Sequence, residues 1–278
     1  MSERVAVRKT YKLFIGGKFP RSESGRSYLV DSTDGGTNVA LASRKDVRDA
    51  VLAARAAVKG WSGTTAYNRG QILYRVAEML EGRRDQFVGL GVPAAEVDEA
   101  IDRWVWYAGW SDKITQVHGN ANPVAGPYFN LSAPEPTGVV GVLAPAEPAL
   151  LGLVSVVAPA IVTGNTVVVL VAENAPLPAV TLAEVLATSD LPGGVVNLLT
   201  GRPAETAPWL AGHMDVNALD LTGATDPEFA TELERAAAGN LKRVLRPPAG
   251  PVDWSADPGI GRMTAFLETK TVWHPKGV

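Results

Sequence analysis

The 278 residues carry a formal net charge of −3, with 46% hydrophobic and 20% charged residues. This composition is typical of one or two globular domains with a sizeable core, and it gives no argument for a nucleic acid or an anionic membrane as a partner. Because there is no cysteine, the sequence excludes disulfides, thiolate metal sites and a cysteine nucleophile. The three histidines, His118, His213 and His274, lie far apart and disfavour a zinc site, so we expect no metal.

The first twelve residues and the longest apolar run both argue against a membrane. MSERVAVRKTYK contains no apolar core of a signal peptide. The apolar run at 139–162 is interrupted by Gly, Pro, Glu147 and Ser155, which disfavours a membrane span. We therefore expect a soluble, cytoplasmic protein.

Residues 1–119 are predicted to be helical. Ser43 and Asp46 are typical of a capping box, and apolar residues at helical spacing follow until Gly60. Further helices are expected at 71–87 and 96–117. The second of these contains three tryptophans, Trp104, Trp106 and Trp110. Their spacing favours packing against the fold over a stacking platform.

Residues 120–136 are extended and rich in proline, and PYFNLS within them is expected to form a strand. From residue 137 apolar strands and helices alternate. The predicted strands cover 137–143, 165–171, 194–199, 218–223 and 241–245. The predicted helices cover 150–161, 180–187, 206–211 and 227–238. This alternation predicts an α/β fold over 137–245, with an open parallel five-stranded sheet and flanking helices. Ligands of such sheets bind at the carboxyl ends of the strands.

The turn after the first of these strands carries an unexpected charge. GVLAPAEPALLG, 141–152, is typical of a strand end, a tight turn and a helix start, where free N–H groups and the helix dipole favour an anion. Glu147 lies within this turn. Its carboxylate is expected to satisfy the helix N-terminus itself. The alternative, a new catalytic acid, lacks a paired acid or a nearby histidine in the motif.

The chain changes character after Leu245. Residues 246–263 are rich in Pro and Gly and are expected to form a loop or linker. Residues 264–278 then alternate, with Glu268 and Lys270 on one face. The other face holds Ala265, Leu267, Thr269, Thr271 and Trp273. The pattern predicts a strand with one exposed face, and since an unpartnered edge is an aggregation hazard, we expect it to pair with a partner.

Six stretches in this order resemble the aldehyde dehydrogenase superfamily. They are YKLFIGGKFPRSESGRSY, EPTGVVGVLAP, APAIVTGNTVVV, LPGGVVNLLTG, LTGAT and TKTVW. The resemblance implies a Rossmann-like NAD(P)-binding domain, a catalytic domain with a cysteine nucleophile and a small β oligomerisation arm. Residues 120–136 and 264–278 match the arm. The catalytic domain is missing, as in an internal deletion between Leu245 and Thr264.

The resemblance also implies that the remaining catalytic positions are degenerate. The family turn reads Pro-Trp-Asn, and its Asn donates a hydrogen bond to the oxyanion, a kind of contact worth roughly 3–4 kcal/mol. Here Glu147 stands in the place of the Asn, and an ionised carboxylate has no proton to donate. The family's glutamate base follows the fifth strand, where this chain has Pro247, which cannot accept a proton.

The cofactor positions implied by the resemblance are eroded as well. Of the family's Lys-Pro-x-Glu, which contacts the adenosine ribose, only Glu173 remains. The turn that meets the pyrophosphate keeps Gly223 and Thr225 but loses the serine between them, and two acids follow, Asp226 and Glu228. Because like charges repel, we expect Glu173, Gly223 and Thr225 to be vestigial, with no cofactor, and we leave weak NAD(P) binding open.

Three functions stay open from the sequence. The first is a non-catalytic subunit that oligomerises with itself or with a full-length, active aldehyde dehydrogenase, similar to the cysteine-less second module of the family's two-module branch. The second is an NAD(P)-binding subunit or sensor that uses Glu173 and the Gly223 turn. The third is an oxidoreductase completed in trans by a partner that supplies the cysteine and the base. The lost lysine and serine count against the last two.

Overall fold

Strands and helices alternate from Val139 to Leu245 of the chain, which a computed structural model describes over residues 5, 7, 9–31 and 36–277. The predicted boundaries at residues 1 and 278, and part of the stretch tested for a signal peptide, lie outside these residues. The strands are β1 Ser27–Val30, β2 Thr37–Ala40, β3 Asn120–Asn122, β4 Tyr128–Pro136, β5 Val139–Leu143, β6 Thr166–Leu170, β7 Val196–Leu199, β8 Ala218–Asp220, β9 Arg243–Leu245 and β10 Leu267–Pro275. The α-helices are α1 Arg44–Gly63, α2 Ala66–Glu81, α3 Arg84–Gly89, α4 Ala94–Trp110, α5 Ile114–His118, α6 Leu151–Val162, α7 Pro176–Ala187, α8 Pro203–Ala211, α9 Pro227–Ala237 and α10 Gly261–Thr264.

Five parallel strands form the central sheet, in the order β7-β6-β5-β8-β9. This confirms the predicted fold class. β5 begins two residues later than predicted, at Val139. The reason is local: the Thr137 hydroxyl hydrogen-bonds to the side chain of Asn165 at 3.1 Å, and Gly138 has a φ of 125°, outside the strand region.

Helices cover both faces of this sheet, because successive side chains of a strand point to opposite sides. Val140 and Val142 of β5 pack in the same cluster as α2, α4, α6 and α7, whereas Val139 and Leu143 pack with α1, α8 and α9. All 12 residues of α6 are buried, as expected for a helix that is apolar on every side. No helix in the described part of the chain is both long and apolar enough to cross a bilayer.

The N-terminal part contains more elements than the sequence predicts. The helix predicted at 71–87 is two helices, α2 and α3, and the one predicted at 96–117 is divided into α4 and α5. The antiparallel pair β1–β2 was missed, since each strand has only four residues. Trp104 is fully buried, and Trp106 and Trp110 pack against the same core. These tryptophans are therefore packing residues.

A separate three-stranded sheet has the order β10-β4-β3, and we call it the arm sheet. β10 pairs antiparallel with β4 along its whole length, from Leu267 opposite Pro136 to Pro275 opposite Tyr128. The predicted strand start at Thr264 is wrong, because that residue belongs to α10. The prediction of a single exposed face is also wrong, since every residue of β10 after the first is exposed, on both faces.

Candidate functional site

The carboxyl ends of β5 and β8 meet where the strand order reverses, which is where open parallel sheets bind ligands. From β5 the chain continues outward through β6 and β7, and it then returns to place β8 on the other side of β5. The segments that follow β5, β6, β8 and β9 carry the predicted positions Glu147, Glu173, Gly223, Thr225 and Pro247. The topology therefore brings all five to one edge of the sheet.

A glutamate does satisfy the N-terminus of α6, but it is Glu96 and not Glu147. Oε1 of Glu96 accepts hydrogen bonds from the backbone N–H groups of Leu150, at 2.6 Å, and Leu151, at 3.1 Å. Glu147 is exposed and makes no hydrogen bond or ion pair with another described residue. The prediction that Glu147 caps this helix is wrong, because the capping carboxylate comes from α4, which packs on α6.

Glu96 could not be recognised from the sequence as the residue that caps α6. It lies 54 residues before Leu150, beyond the reach of any local pattern. One observation in the sequence does point to a distant acceptor. Leu150 and Leu151, at the start of α6, have no side-chain oxygen that could accept hydrogen bonds from the free N–H groups of the helix N-terminus. Glu96 and Glu147 line one cavity of about 350 Å³ between this turn and α7. Neither side chain has the amide N–H with which an asparagine donates to an oxyanion.

Glu173 lies exposed after β6, beside a cation that the sequence did not predict. Its carboxylate is 3.3 Å from Nε of Arg202, which follows β7 and also pairs with Glu205 at 3.1 Å. The Tyr28 hydroxyl donates a hydrogen bond to the Glu173 carbonyl at 3.3 Å. Burial, together with the Glu173 charge, raises the pKa of Tyr28 above its ordinary value. A cation therefore lies beside Glu173 although the family's lysine is missing, but both partners are about half exposed.

Three successive backbone N–H groups of the turn after β8 are already used within the protein. The N–H of Gly223 donates to the carbonyl of Leu143 at 2.9 Å. The N–H of Ala224 donates to Leu221 at 2.8 Å, and that of Thr225 to Gly223 at 3.1 Å. Anion-binding turns need such groups free and pointing at the ligand. These three N–H groups are therefore not available to an anion.

The start of α9 also disfavours a pyrophosphate, and the turn before it is tightly packed. Oδ1 of Asp226 accepts a hydrogen bond from the N–H of Glu228 at 3.0 Å, so the helix N-terminus has its own anion. Pro227, at the first helical position, has no N–H. A Cβ on Gly223 would lie 2.2 Å from the carbonyl oxygen of Ala144, so packing by itself already requires a glycine here. The residues present do not fit the pyrophosphate of a dinucleotide.

Residues 246–263 are not a free linker in their second half. Pro247 is half-buried just after β9. Arg103 of α4 donates hydrogen bonds to the carbonyls of Trp254, at 2.5 Å, and Ala256, at 3.2 Å. Met263 is fully buried in the core. Residues 246–260 do form a loop without helix or strand, but from about residue 254 onward the chain packs against α4 and α6.

A buried ion pair, missed by the sequence analysis, ties this stretch to the sheet. Asp220, the last residue of β8, is fully buried and accepts a hydrogen bond from Nη1 of Arg262 at 3.0 Å. It also accepts from the N–H of Thr222, at 2.9 Å, and from the Thr222 hydroxyl. Burial raises the pKa of Asp220, although Arg262 and Thr222 oppose the shift. The Arg262 guanidinium lies 5.4 Å from the Trp254 ring centre.

The fold and the turns of this edge define the class of protein. The model of the aldehyde dehydrogenase family matches residues 30–247. The chain belongs to the aldehyde dehydrogenase family.

Individual relatives match over nearly the whole chain but only part of their own length. Human retinal dehydrogenase 2 is 33% identical over 252 residues, covering 85% of this chain and 48% of its own. Aldehyde dehydrogenase family 2 member B4 of Arabidopsis thaliana is 36% identical over 248 residues, covering 84% and 45%. Among solved structures, HpcC of Thermus thermophilus has a TM-score of 0.78 and 32% identity, covering 85% and 47%. An NAD+ complex of aldehyde dehydrogenase from Bacillus cereus has a TM-score of 0.78 and 27% identity, covering 85% and 50%. The chain spans about half the length of these relatives.

Proposed function

We propose that this chain is a non-catalytic, aldehyde-dehydrogenase-like subunit that assembles through its arm sheet with a second copy or with a full-length aldehyde dehydrogenase. One observation carries the proposal: in the described part of the sheet edge, the positions matched to the family's oxyanion donor and general base hold residues that cannot take those roles. The 278 residues contain no cysteine, and Glu147 and Pro247 occupy the positions matched to the oxyanion donor and the base. The cofactor turn at Gly223 uses its own N–H groups internally.

The arm sheet supports the assembly half of the proposal. Leu131 of β4 lies directly opposite Val272 of β10, so both side chains point to the same face of the arm sheet. Phe129, two residues before Leu131 in β4, points to that face as well. All three side chains are exposed. On the other face Tyr128 and Trp273 stack edge to face with ring centres 5.7 Å apart. Exposed aliphatic and aromatic groups on the faces of a small sheet are typical of an interface between chains.

Light scattering after gel filtration tests this assembly. The chain alone has a mass of 29.3 kDa, so a self-dimer is expected at twice that value, and a mixed complex with a host aldehyde dehydrogenase at a fixed larger mass. Leu131→Glu is expected to return the chain to 29.3 kDa, since it places a charge in the apolar face. The matched control is Leu29→Glu, on an exposed leucine of β1, and it is expected to leave the assembly intact.

The same experiment can reject the proposal. If the chain elutes at 29.3 kDa both alone and after co-expression with the host's aldehyde dehydrogenases, the assembly role is wrong. If Leu131→Glu leaves the complex unchanged, the arm sheet is not the contact.

Kinetic constants of a reconstituted pair, measured with and without this chain, separate a structural subunit from an oxidoreductase completed in trans. The latter requires the constants to change.

A second candidate is an NAD(P)-binding oxidoreductase subunit that acts on aldehydes only within a complex. The observation that favours it is Arg202, which places a cation beside Glu173. Titration calorimetry with NAD and NADP decides between the candidates. The first proposal predicts no binding in the sub-millimolar range. Sub-millimolar affinity that is lost in Glu173→Gln would support the second.

A further inference from the structure

A cavity of about 680 Å³ lies between the first turns of α1 and the end of α8, away from the sheet edge described above. α1 contributes Arg44, Lys45, Val47 and Arg48, and the α8 side contributes Pro208, Trp209, Gly212 and His213. None of the five predicted site positions lines it. Its volume falls within the range of roughly 300–1,000 Å³ found for small-molecule sites.

The positive charges around this cavity are unequally neutralised. Lys45 pairs with Glu23 at 2.5 Å, and Arg48 pairs with Asp49 at 2.9 Å. Arg44 has no carboxylate partner among the described residues. A cation that lines a cavity without a counter-charge favours an anionic occupant.

The position of Arg44 leaves its hydrogen-bond donors free. Its guanidinium carbon lies 3.9 Å from the ring centre of Trp209, so the group is held over the indole by a cation–π contact. No hydrogen bond from Arg44 to a described residue is present. Since a guanidinium presents its N–H groups as a planar fork, it matches the two oxygens of a carboxylate.

The remaining walls are apolar or neutral. Val47 is buried and Trp209 is 46% exposed, so the part of Trp209 that Arg44 does not cover offers apolar surface to a flat ligand. Burial, with help from Lys242 and Arg55, lowers the pKa of His213, although Asp215 opposes the shift. His213 therefore adds no second full charge at neutral pH, and Arg44 is the charged anchor.

We propose that this cavity binds an aromatic carboxylate, with its carboxylate on the Arg44 guanidinium and its ring against Trp209. Arg44 supplies the charge selection and Trp209 supplies the apolar contact. The site is independent of the assembly proposed above, because no residue of the arm sheet lines it.

Titration calorimetry with naphthalene-2-carboxylate, its uncharged carboxamide and acetate tests this site. The carboxylate is expected to bind about tenfold more tightly than the carboxamide, the scale of one charge-assisted hydrogen bond. Acetate, which lacks the ring, is expected to show no measurable binding. Equal affinity of the carboxylate and the carboxamide would overturn the proposal, and so would the absence of binding by the carboxylate.

Variants locate the binding within the protein. Arg44→Gln and Trp209→Leu are each expected to weaken the carboxylate by about tenfold, and Arg44→Lys by less, because it keeps the charge but loses the fork. The matched controls are Lys59→Gln, at the far end of α1, and Trp273→Leu, on the arm sheet at 55% exposure. Both controls are expected to bind as the unchanged chain does. An unaltered affinity in Arg44→Gln with normal circular dichroism contradicts the assignment.

Discussion

Removing Arg262 leaves a carboxylate buried without its cation. The Asp220 side chain is 1% exposed and the Arg262 side chain 20%, with Nη1 and Oδ2 3.0 Å apart. In Arg262→Ala the carboxylate keeps only its bonds to Thr222. Breaking a buried pair by deleting one partner costs about 3–5 kcal/mol, because an uncompensated charge remains in the core.

The cost in Arg262→Ala depends on pH with a definite sign. Burial already raises the folded-state pKa of Asp220, and loss of Arg262 removes the largest opposing influence. A group with a raised folded-state pKa contributes stability that is fully present below its unfolded-state pKa, about 4, and is lost as pH rises through the folded-state pKa. The penalty of Arg262→Ala is therefore larger at pH 7.5 and shrinks as the pH falls through the raised folded-state pKa of Asp220, because the carboxyl group is then protonated and neutral.

Urea unfolding at pH 5.0 and pH 7.5, followed by circular dichroism, measures this difference. The matched control is Arg243→Ala, which removes an exposed ion pair with Glu268. Exposed pairs contribute about 0–1 kcal/mol, so this control is expected to have little effect at either pH. A loss below about 1 kcal/mol at pH 7.5 for Arg262→Ala, or an equal loss at the two pH values, refutes the reasoning.

Two further pairs of substitutions test the turns at the sheet edge. Glu96→Ala removes the acceptor at the start of α6 and is expected to cost about 1 kcal/mol in urea unfolding, whereas Glu147→Ala is expected to change the stability by less than about 0.5 kcal/mol. The opposite order would restore Glu147 as the cap. Gly223→Ala places a Cβ 2.2 Å from the Ala144 carbonyl and is expected to lower Tm by more than about 10 °C or to prevent folding. In Gly239→Ala the Cβ meets nothing within 4 Å, so Tm is expected to stay within about 2 °C. Similar Tm values for the two glycine variants would contradict the packing argument.

The central sheet could be predicted because four of its five strands, β5 to β8, are buried on both faces. Such strands are continuous β-branched runs, as in β6, and glycines or polar residues bound them. The errors in the predicted strands of this sheet are in their first and last residues. The strand predicted at 218–223 stops at Asp220, because Thr222 turns back to bond the Asp220 carboxylate. The short pair β1–β2 escaped because four-residue strands carry too little pattern.

Contacts between distant residues could not be predicted. Local patterns report on neighbours within about four residues. Glu96 reaches its helix across 54 residues, Arg202 reaches Glu173 across 29, and Arg262 reaches Asp220 across 42. These are the contacts that decide the electrostatics of the sheet edge. The sequence therefore indicated which positions of the family had changed, but not which side chains from elsewhere replaced them.

The 42 residues between Asp220 and Arg262 mean that the two partners of this ion pair are synthesised at different times. A ribosome extends the chain by roughly 5–20 residues per second, so 42 residues correspond to about 2–8 s of elongation. Throughout that interval β8 is already synthesised, while the cation that neutralises its last residue does not yet exist. The nascent sheet must keep that carboxylate hydrated or protonated until translation passes residue 262. The ion pair that closes this end of the sheet can therefore form only after residue 262 has been synthesised.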